Sequence, residues 1–157
     1  MLTGKNIELR YLQQSDLEFL YDLENDEKLW VYGSERQHFS KKTLSDYIHN
    51  AKQDIEISKQ VRFVISYKGK AVGMIDLYDY NGQSSGIGVI VLQDYQKKGF
   101  AKESLSLLTD YAFSNLKLKK LFCSITPNNI ASIKLFTSFG FKLKSTIKGI
   151  NYYIFTQ

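Results

Sequence analysis

Cysteine, histidine and proline are scarce in this chain, and each scarcity closes off a class of protein. Cys123 is the only cysteine, so there is no disulfide framework and no cysteine-based metal site, and a reducing cytoplasm is the expected compartment. His38 and His49 are the only histidines, which argues against a His-rich metal site or a Ser-His-Asp arrangement near the C-terminus. No metal is expected. Pro127 is the only proline, and no linker, repeat or low-complexity segment interrupts the sequence. No apolar run approaches the ~20 residues that a membrane helix needs. Met1-Leu2-Thr3-Gly4-Lys5 lacks a signal-peptide core, so no membrane association is expected.

What is present describes a globular protein. Apolar residues fill 43% of the 157 positions, with 11 Tyr and 10 Phe. That suffices for one domain, 1–157, with a real core. The net charge is +5 but uneven: residues 1–78 hold 11 basic and 12 acidic side chains (−1), residues 79–157 hold 10 and 4 (+6). The second half suits a polyanionic ligand, while the first contains the acidic stretch Asp16, Glu18, Asp22, Glu24, Asp26, Glu27 and Glu35.

Periodicity gives the elements. Ile7–Leu12 alternates as a strand. Ser15-Asp16-Leu17-Glu18 has the form of a capping box, Ser at N-cap and Glu three residues on, opening a helix to about Leu23. A second helical region spans Ser40 to about Ile57. Val61–Tyr67 and Ala71–Tyr78 are strands joined through Lys68-Gly69-Lys70. Ile87–Val91 is a nearly all-apolar fourth strand, in which Gly88 marks a bulge or a close backbone approach. A helix follows from Gly99 to about Leu116, with Ala101, Leu105, Leu108 and Ala112 on its apolar stripe. Leu121–Ile125 is a buried strand, and Asn129–Phe139 a helix ended by Gly140. Phe141–Ile147 and Ile150–Thr156 form a hairpin turned at Lys148-Gly149. The order β-α-α-β-β-β-α-β-α-β-β predicts a mixed α/β sheet, mostly antiparallel, with one parallel crossover after the fourth strand.

The turn Gln96-Lys97-Lys98-Gly99-Phe100-Ala101 sits between an apolar strand and a long helix. First-turn N–H groups and the positive end of the helix dipole hold phosphate in such places. By itself Q-x-x-G-x-A is weak, arising by chance in roughly one chain in ten of this length. No Walker loop and no G-x-G-x-x-G fingerprint accompanies it. Lys98-Gly99-Phe100-Ala101 matches the first half of an RNA-recognition signature, but Lys102, Glu103 and Leu105 then open a helix where aromatic strand residues belong, so no nucleic acid is expected.

With the strand that follows and Asn129-x-x-Ser132…Phe139-Gly140-Phe141, the turn resembles the GNAT family of acyl-CoA-dependent N-acetyltransferases. The resemblance runs along essentially the whole chain, including Leu9-Arg10 and Gly73, and is most specific from Gly86 to Phe141. It is similar above all to the ribosomal-protein-alanine and spermidine/diamine branches. The resemblance implies a GNAT-type fold with acetyl-CoA as co-substrate. Val89, Ile90 and Val91 would offer backbone groups to the pantetheine arm and the thioester. Gln96, Lys97, Lys98, Gly99, Phe100, Ala101 and Lys102 would cradle the pyrophosphate. Asn129 would meet the cofactor arm as well as cap its helix. Ser132 would stand near the sulfur as proton donor, as in the ribosomal branch. The tyrosine that many members carry four residues later is Phe136 here, a cofactor neighbour that cannot donate a proton.

The acceptor is expected to be a small amine, a polyamine or a protein N-terminus. An alkylammonium with pKa ~10.4 needs a general base, and Asp76 is the first candidate, ahead of Asp79 and Glu35. In the spermidine branch an acid at the position of Asp76 also helps to bind the polyamine. Of that branch's other acids after the first helix, only Glu35 is matched, in the run Tyr32–His38. Tyr78, with Tyr80 and Trp30, is a candidate for the acceptor pocket. The oligomeric state is open, with a homodimer one option. The rival from another class is a non-catalytic acyl-CoA-binding regulatory domain.

Overall fold

The computed structural model describes residues 1–26, 38–52 and 54–157. Eight strands form one sheet: β1 (Leu2–Thr3), β2 (Ile7–Tyr11), β3 (Val61–Tyr67), β4 (Lys70–Tyr78), β5 (Ser84–Val91), β6 (Lys120–Ile125), β7 (Lys142–Ile147) and β8 (Ile150–Thr156). Their spatial order is β1-β2-β3-β4-β5-β6-β8-β7. Every neighbouring pair is antiparallel except β5 and β6. The mixed sheet with one parallel pair is as expected, with the short β1 added at its edge. That parallel pair is bridged by α4 (Phe100–Ser114), the connection parallel strands require. Lys68 and Gly69, then Lys148 and Gly149, all have positive φ, as two-residue hairpin turns demand.

Helices cover both faces. On one, α4 and α5 (Ile130–Phe139) bury a core that includes Leu105, Leu108, Ala112, Ile75, Leu77 and Phe136. On the other, α1 (Leu17–Asn25) and α2 (Lys41–Asn50) bury Leu20, Leu23, Leu44 and Ile48 against Val64 and Met74 of the sheet. Each such side chain contributes about 1.5–3 kcal/mol. No described helix is long and apolar enough to cross a membrane.

Two helical expectations shift. Ser15 does not cap α1; Gln14–Asp16 form a 3-10 turn and α1 starts at Leu17. The Asp16 carboxylate instead takes both guanidinium nitrogens of Arg10, at 2.8 and 2.9 Å, and the Gln13 N–H, which holds it below the usual carboxylate range against its own burial. The second helical region is broken: α2, capped by the Ser40 hydroxyl, ends at Asn50, and a separate turn α3 (Ile55–Ser58) is capped by Asp54.

Candidate active site

The parallel pair is short. β5 and β6 are in register only from Ser84 to Gly86, against Lys120 to Phe122. Beyond Gly86 the two strands part, while β5 stays paired with β4 as far as Val91. Leu92 N–H donates to the Val72 carbonyl at 2.9 Å. The alternation of an antiparallel ladder then turns the main-chain groups of Gly88 and Ile90 toward β4 and those of Val89 and Val91 toward the opening. Gln96 Nε2 donates to the Val91 carbonyl at 2.9 Å, across the end of the splay. The Gln96 side chain thus shapes the turn through Val91, and Ile90 meets the opening less directly than its neighbours.

The turn itself alternates in hand. Lys97 has φ 63° and Gly99 φ 85°, both left-handed, on either side of Lys98. Such alternation gathers successive N–H groups into an anion-binding concavity. The first intrahelical bond of α4 runs from Glu103 N–H to the Gly99 carbonyl, so the N–H groups of Phe100, Ala101 and Lys102 lie ahead of it. A Cβ placed on Gly99 would meet nothing within 4 Å, so the space above the turn is open. Lys97, Lys98 and Lys102 are exposed around it, while the Phe100 ring is buried against Tyr67 at 4.7 Å. Glu103 ties this turn to the chain's beginning: its carboxylate accepts from the N–H groups of Asn6 and Ile7.

Across the splay, Asn129 caps α5 by accepting the Ser132 N–H on Oδ1 at 3.2 Å and is itself buried. Ser132 is half-buried one turn in. Phe136, one further turn along, is only 4% exposed and packs edge-on against Phe141 at 5.1 Å. Its ring is a core side chain first.

On the α1–α2 side, two glycines of β5 let β4 lean over the strand. Asp76 is paired with Gly88, and a Cβ there would stand 3.0 Å from Asp76 Oδ1. Tyr78 is paired with Gly86, and a Cβ there would overlap the Tyr78 ring. The ring also meets Phe122 edge-on at 6.0 Å, and its hydroxyl hydrogen-bonds Ser124 of β6. Asp76 and Tyr78 therefore lie at the mouth of the splay. Burial pushes the Asp76 carboxyl up to about 6, with Glu24 adding to the rise and Arg62 opposing it. Burial, with Asp76 nearby, likewise pushes the Tyr78 phenol up to about 12. The Gly86-Ile87-Gly88 spacing is the sequence signal of this arrangement. Arg62 and Ser124 carried no signal of their own.

Other candidates stand elsewhere. Asp79 is exposed beyond the end of β4, and Tyr80 is buried with its hydroxyl on Glu56 at 2.7 Å. Cys123 is buried, which pushes its thiol up to about 12. His38 and His49 are exposed. Glu35 and Trp30 lie outside the described residues. Among the described residues no group of three or more His, Cys, Asp or Glu side chains could hold a metal ion.

A splayed parallel pair fed by a strand-turn-helix with no glycine-rich phosphate loop is neither a dinucleotide-binding nor a P-loop fold. Residues 6–142 match the family model described as an acetyltransferase (GNAT) domain. The chain belongs to the GNAT family and is an acyltransferase. It is 26% identical over 149 residues to the spermidine N(1)-acetyltransferase of Escherichia coli K12, covering 94% of this chain and 78% of that one. It is 28% identical over 122 residues to the spermine/spermidine N(1)-acetyltransferase of Bacillus subtilis, covering 70% and 80%. The fold superposes with TM-score 0.87 on a spermidine N-acetyltransferase from Vibrio cholerae solved with CoA and spermine, at 23% identity and 98% and 97% coverage.

Proposed function

We propose that the protein transfers an acetyl group from acetyl-CoA to a primary amine, a polyamine or other small amine before a protein N-terminus. The observation that carries this reading is the splay itself. Main-chain groups of Val89 and Val91 face it, an anion-binding turn closes one end, and Asp76 stands at its mouth. The residues fit acetyl-CoA: the turn from Lys97 to Lys102 suits the pyrophosphate, and the Asn129 carboxamide nitrogen is the group left for the pantetheine arm once Oδ1 has capped α5. Bound there, acetyl-CoA supplies an activated acyl group and a thiol leaving group. The Val89 N–H offers a hydrogen bond where negative charge develops on the acyl oxygen. Asp76 orients the ammonium and accepts its proton. Ser132 returns a proton toward the thiolate, a modest task because a free thiol has a pKa of only ~8.5. No covalent link to the enzyme is required. The polyamine class is favoured by the names of the relatives and by the acids on the α1–α2 side.

Thiol release from acetyl-CoA over a panel of polyamines, amino sugars and N-terminal peptides tests the reading. Release above the amine-free rate is expected with a polyamine. Tight acetyl-CoA binding by calorimetry with no release for any amine would leave an acyl-CoA-binding domain and overturn it.

A further inference from the structure

Arg62 and Asp76 are directly opposed on β3 and β4 and share one face of the sheet. Such partners have Cβ atoms about 4.5–5.5 Å apart, within reach of an ion pair. The arginine's close contacts are nevertheless with the helices: its Nη1 lies 2.6 Å from Glu24 Oε1 on α1, and Tyr47 on α2 hydrogen-bonds it as well. Asp76 in turn leans toward β5, over Gly88. Both members of the Glu24–Arg62 pair are largely buried, at 22% and 24% side-chain exposure, so the pair is little screened by solvent.

We propose that Glu24 holds Arg62 off Asp76, keeping the Asp76 carboxylate available to the acceptor amine, and that Glu24 and Arg62 are positioning residues for the transfer. The inference rests on the reading of Asp76 as the acid that serves the amine. An arginine collapsed onto Asp76 would occupy the oxygen atoms that must meet the ammonium, since guanidinium and carboxylate pair readily in bidentate fashion. Glu24 competes for that guanidinium, and Gly88 gives Asp76 room to move away. Among the described residues, the charged and titratable groups facing Asp76 are Arg62 from β3, Glu24 beyond it from α1, Tyr78 from β4 and Tyr47 from α2 through Arg62, and β5 presents Gly88. Glu24 and Arg62 act on Asp76 with opposite sign.

The test is the pH profile of kcat/KM for the amine at saturating acetyl-CoA. Glu24→Gln frees the guanidinium for Asp76. The acid limb is expected to move down by about one unit, and the plateau to fall roughly tenfold as the base is tied up. Arg62→Met removes the cation, and the limb is expected to move up by about one unit. Arg62→Lys keeps the charge and should leave the limb near its wild-type position. Thermal unfolding checks each variant; should Arg62→Met fail to fold, the downward shift in Glu24→Gln decides alone. Unmoved limbs, or shifts in the same direction, overturn the inference. Asp76→Asn separates the two ideas. If it abolishes the limb while the Glu24 and Arg62 variants keep it, the inference fails and the reading of Asp76 stands. If it leaves the limb in place, the reading of Asp76 itself fails.

Discussion

On the α4–α5 side of the splay the groups on offer are main chain: Val89 and Val91 on β5, then the N–H groups of Phe100, Ala101 and Lys102 at the start of α4. On the α1–α2 side they are side chains: Asp76 and Tyr78, backed by Arg62 and Glu24. The difference teaches what each half tolerates. A main-chain site depends on backbone hand and on the absence of bulk or negative charge, and is nearly indifferent to which side chains surround it. A side-chain site depends on particular carboxyl and phenol groups, and its chemistry is set by how deeply they are buried. Substitutions that respect one logic and violate the other separate the halves.

The largest effect is expected at Gly99. Gly99→Asp sets a carboxylate on the turn and should weaken acetyl-CoA binding at least about a hundredfold, since like charges at contact repel by several kcal/mol when partly shielded from water. Gly99→Ala meets open space, so its cost is the left-handed backbone, about 1–2 kcal/mol of stability, with affinity nearly kept. Calorimetric titration with acetyl-CoA compares the pair. Equal, wild-type affinities would remove the turn from the site.

Next in size is a change in stability on the other side. Asp76 is raised from 3.8 to about 6, the reverse of the usual salt-bridged carboxylate. The folded state therefore binds the proton more tightly than the unfolded chain. The cost of ionising Asp76 is absent below pH 3.8, grows as pH rises to about 6, and is complete above that. It amounts to about 2–3 kcal/mol. Asp76→Asn should thus melt several degrees higher than wild type at pH 7.5 and within a degree or so of it near pH 4, even as amine turnover collapses. A variant less stable at pH 7.5 would mean that Asp76 is satisfied rather than held ready. Asp16 is the counterexample within the same molecule: it is lowered, so its contribution is present at neutral pH and lost as pH falls through its folded value.

Smaller again are the two β5 glycines. Gly86→Ala drives a methyl group into the Tyr78 ring and should cost about 1–3 kcal/mol in thermal or denaturant unfolding. Gly88→Ala meets Asp76 Oδ1 at 3.0 Å, a tight contact that a side-chain carboxylate relieves by shifting. It should fold nearly as well as wild type and show its effect in the KM for the amine. If Gly88→Ala proves the more destabilising, Asp76 is more rigidly held than its neighbour.

The two logics also explain what could be read from the residues alone. The main-chain half announces itself through small residues at fixed spacing, Gly99 and Ala101 at a helix start, and through the strand-turn-helix that carries them. The sheet order followed because a crossover helix after an apolar strand forces a parallel neighbour. The acceptor half was legible as an acid at 76 and an aromatic at 78 among several candidates, with Gly88 marked only as a bulge or close backbone approach. Arg62 and Glu24 lie 38 positions apart in sequence, and nothing local in either segment marks them as partners. Ser15-x-x-Glu18 misled because Asp16 had a stronger use: a bidentate arginine across the turn outweighs a serine cap.

Ser132 gives the smallest predicted change, and together with Phe136 the sharpest remaining contrast, since both are side chains on the main-chain side. Ser132→Ala is expected to lower kcat less than about tenfold, because the leaving thiolate needs little help near neutral pH. Phe136 is buried against Phe141, so Phe136→Tyr must place a hydroxyl either among apolar atoms or at the opening. The first placement costs about 1–3 kcal/mol of stability and leaves kcat alone. The second leaves stability nearly intact and offers the thiolate a phenol donor in addition to Ser132. The packing predicts the first: a lower melting temperature with kcat within about threefold of wild type. A gain in kcat without loss of stability would instead show that the ring edge reaches the splay and that proton return limits the wild-type reaction.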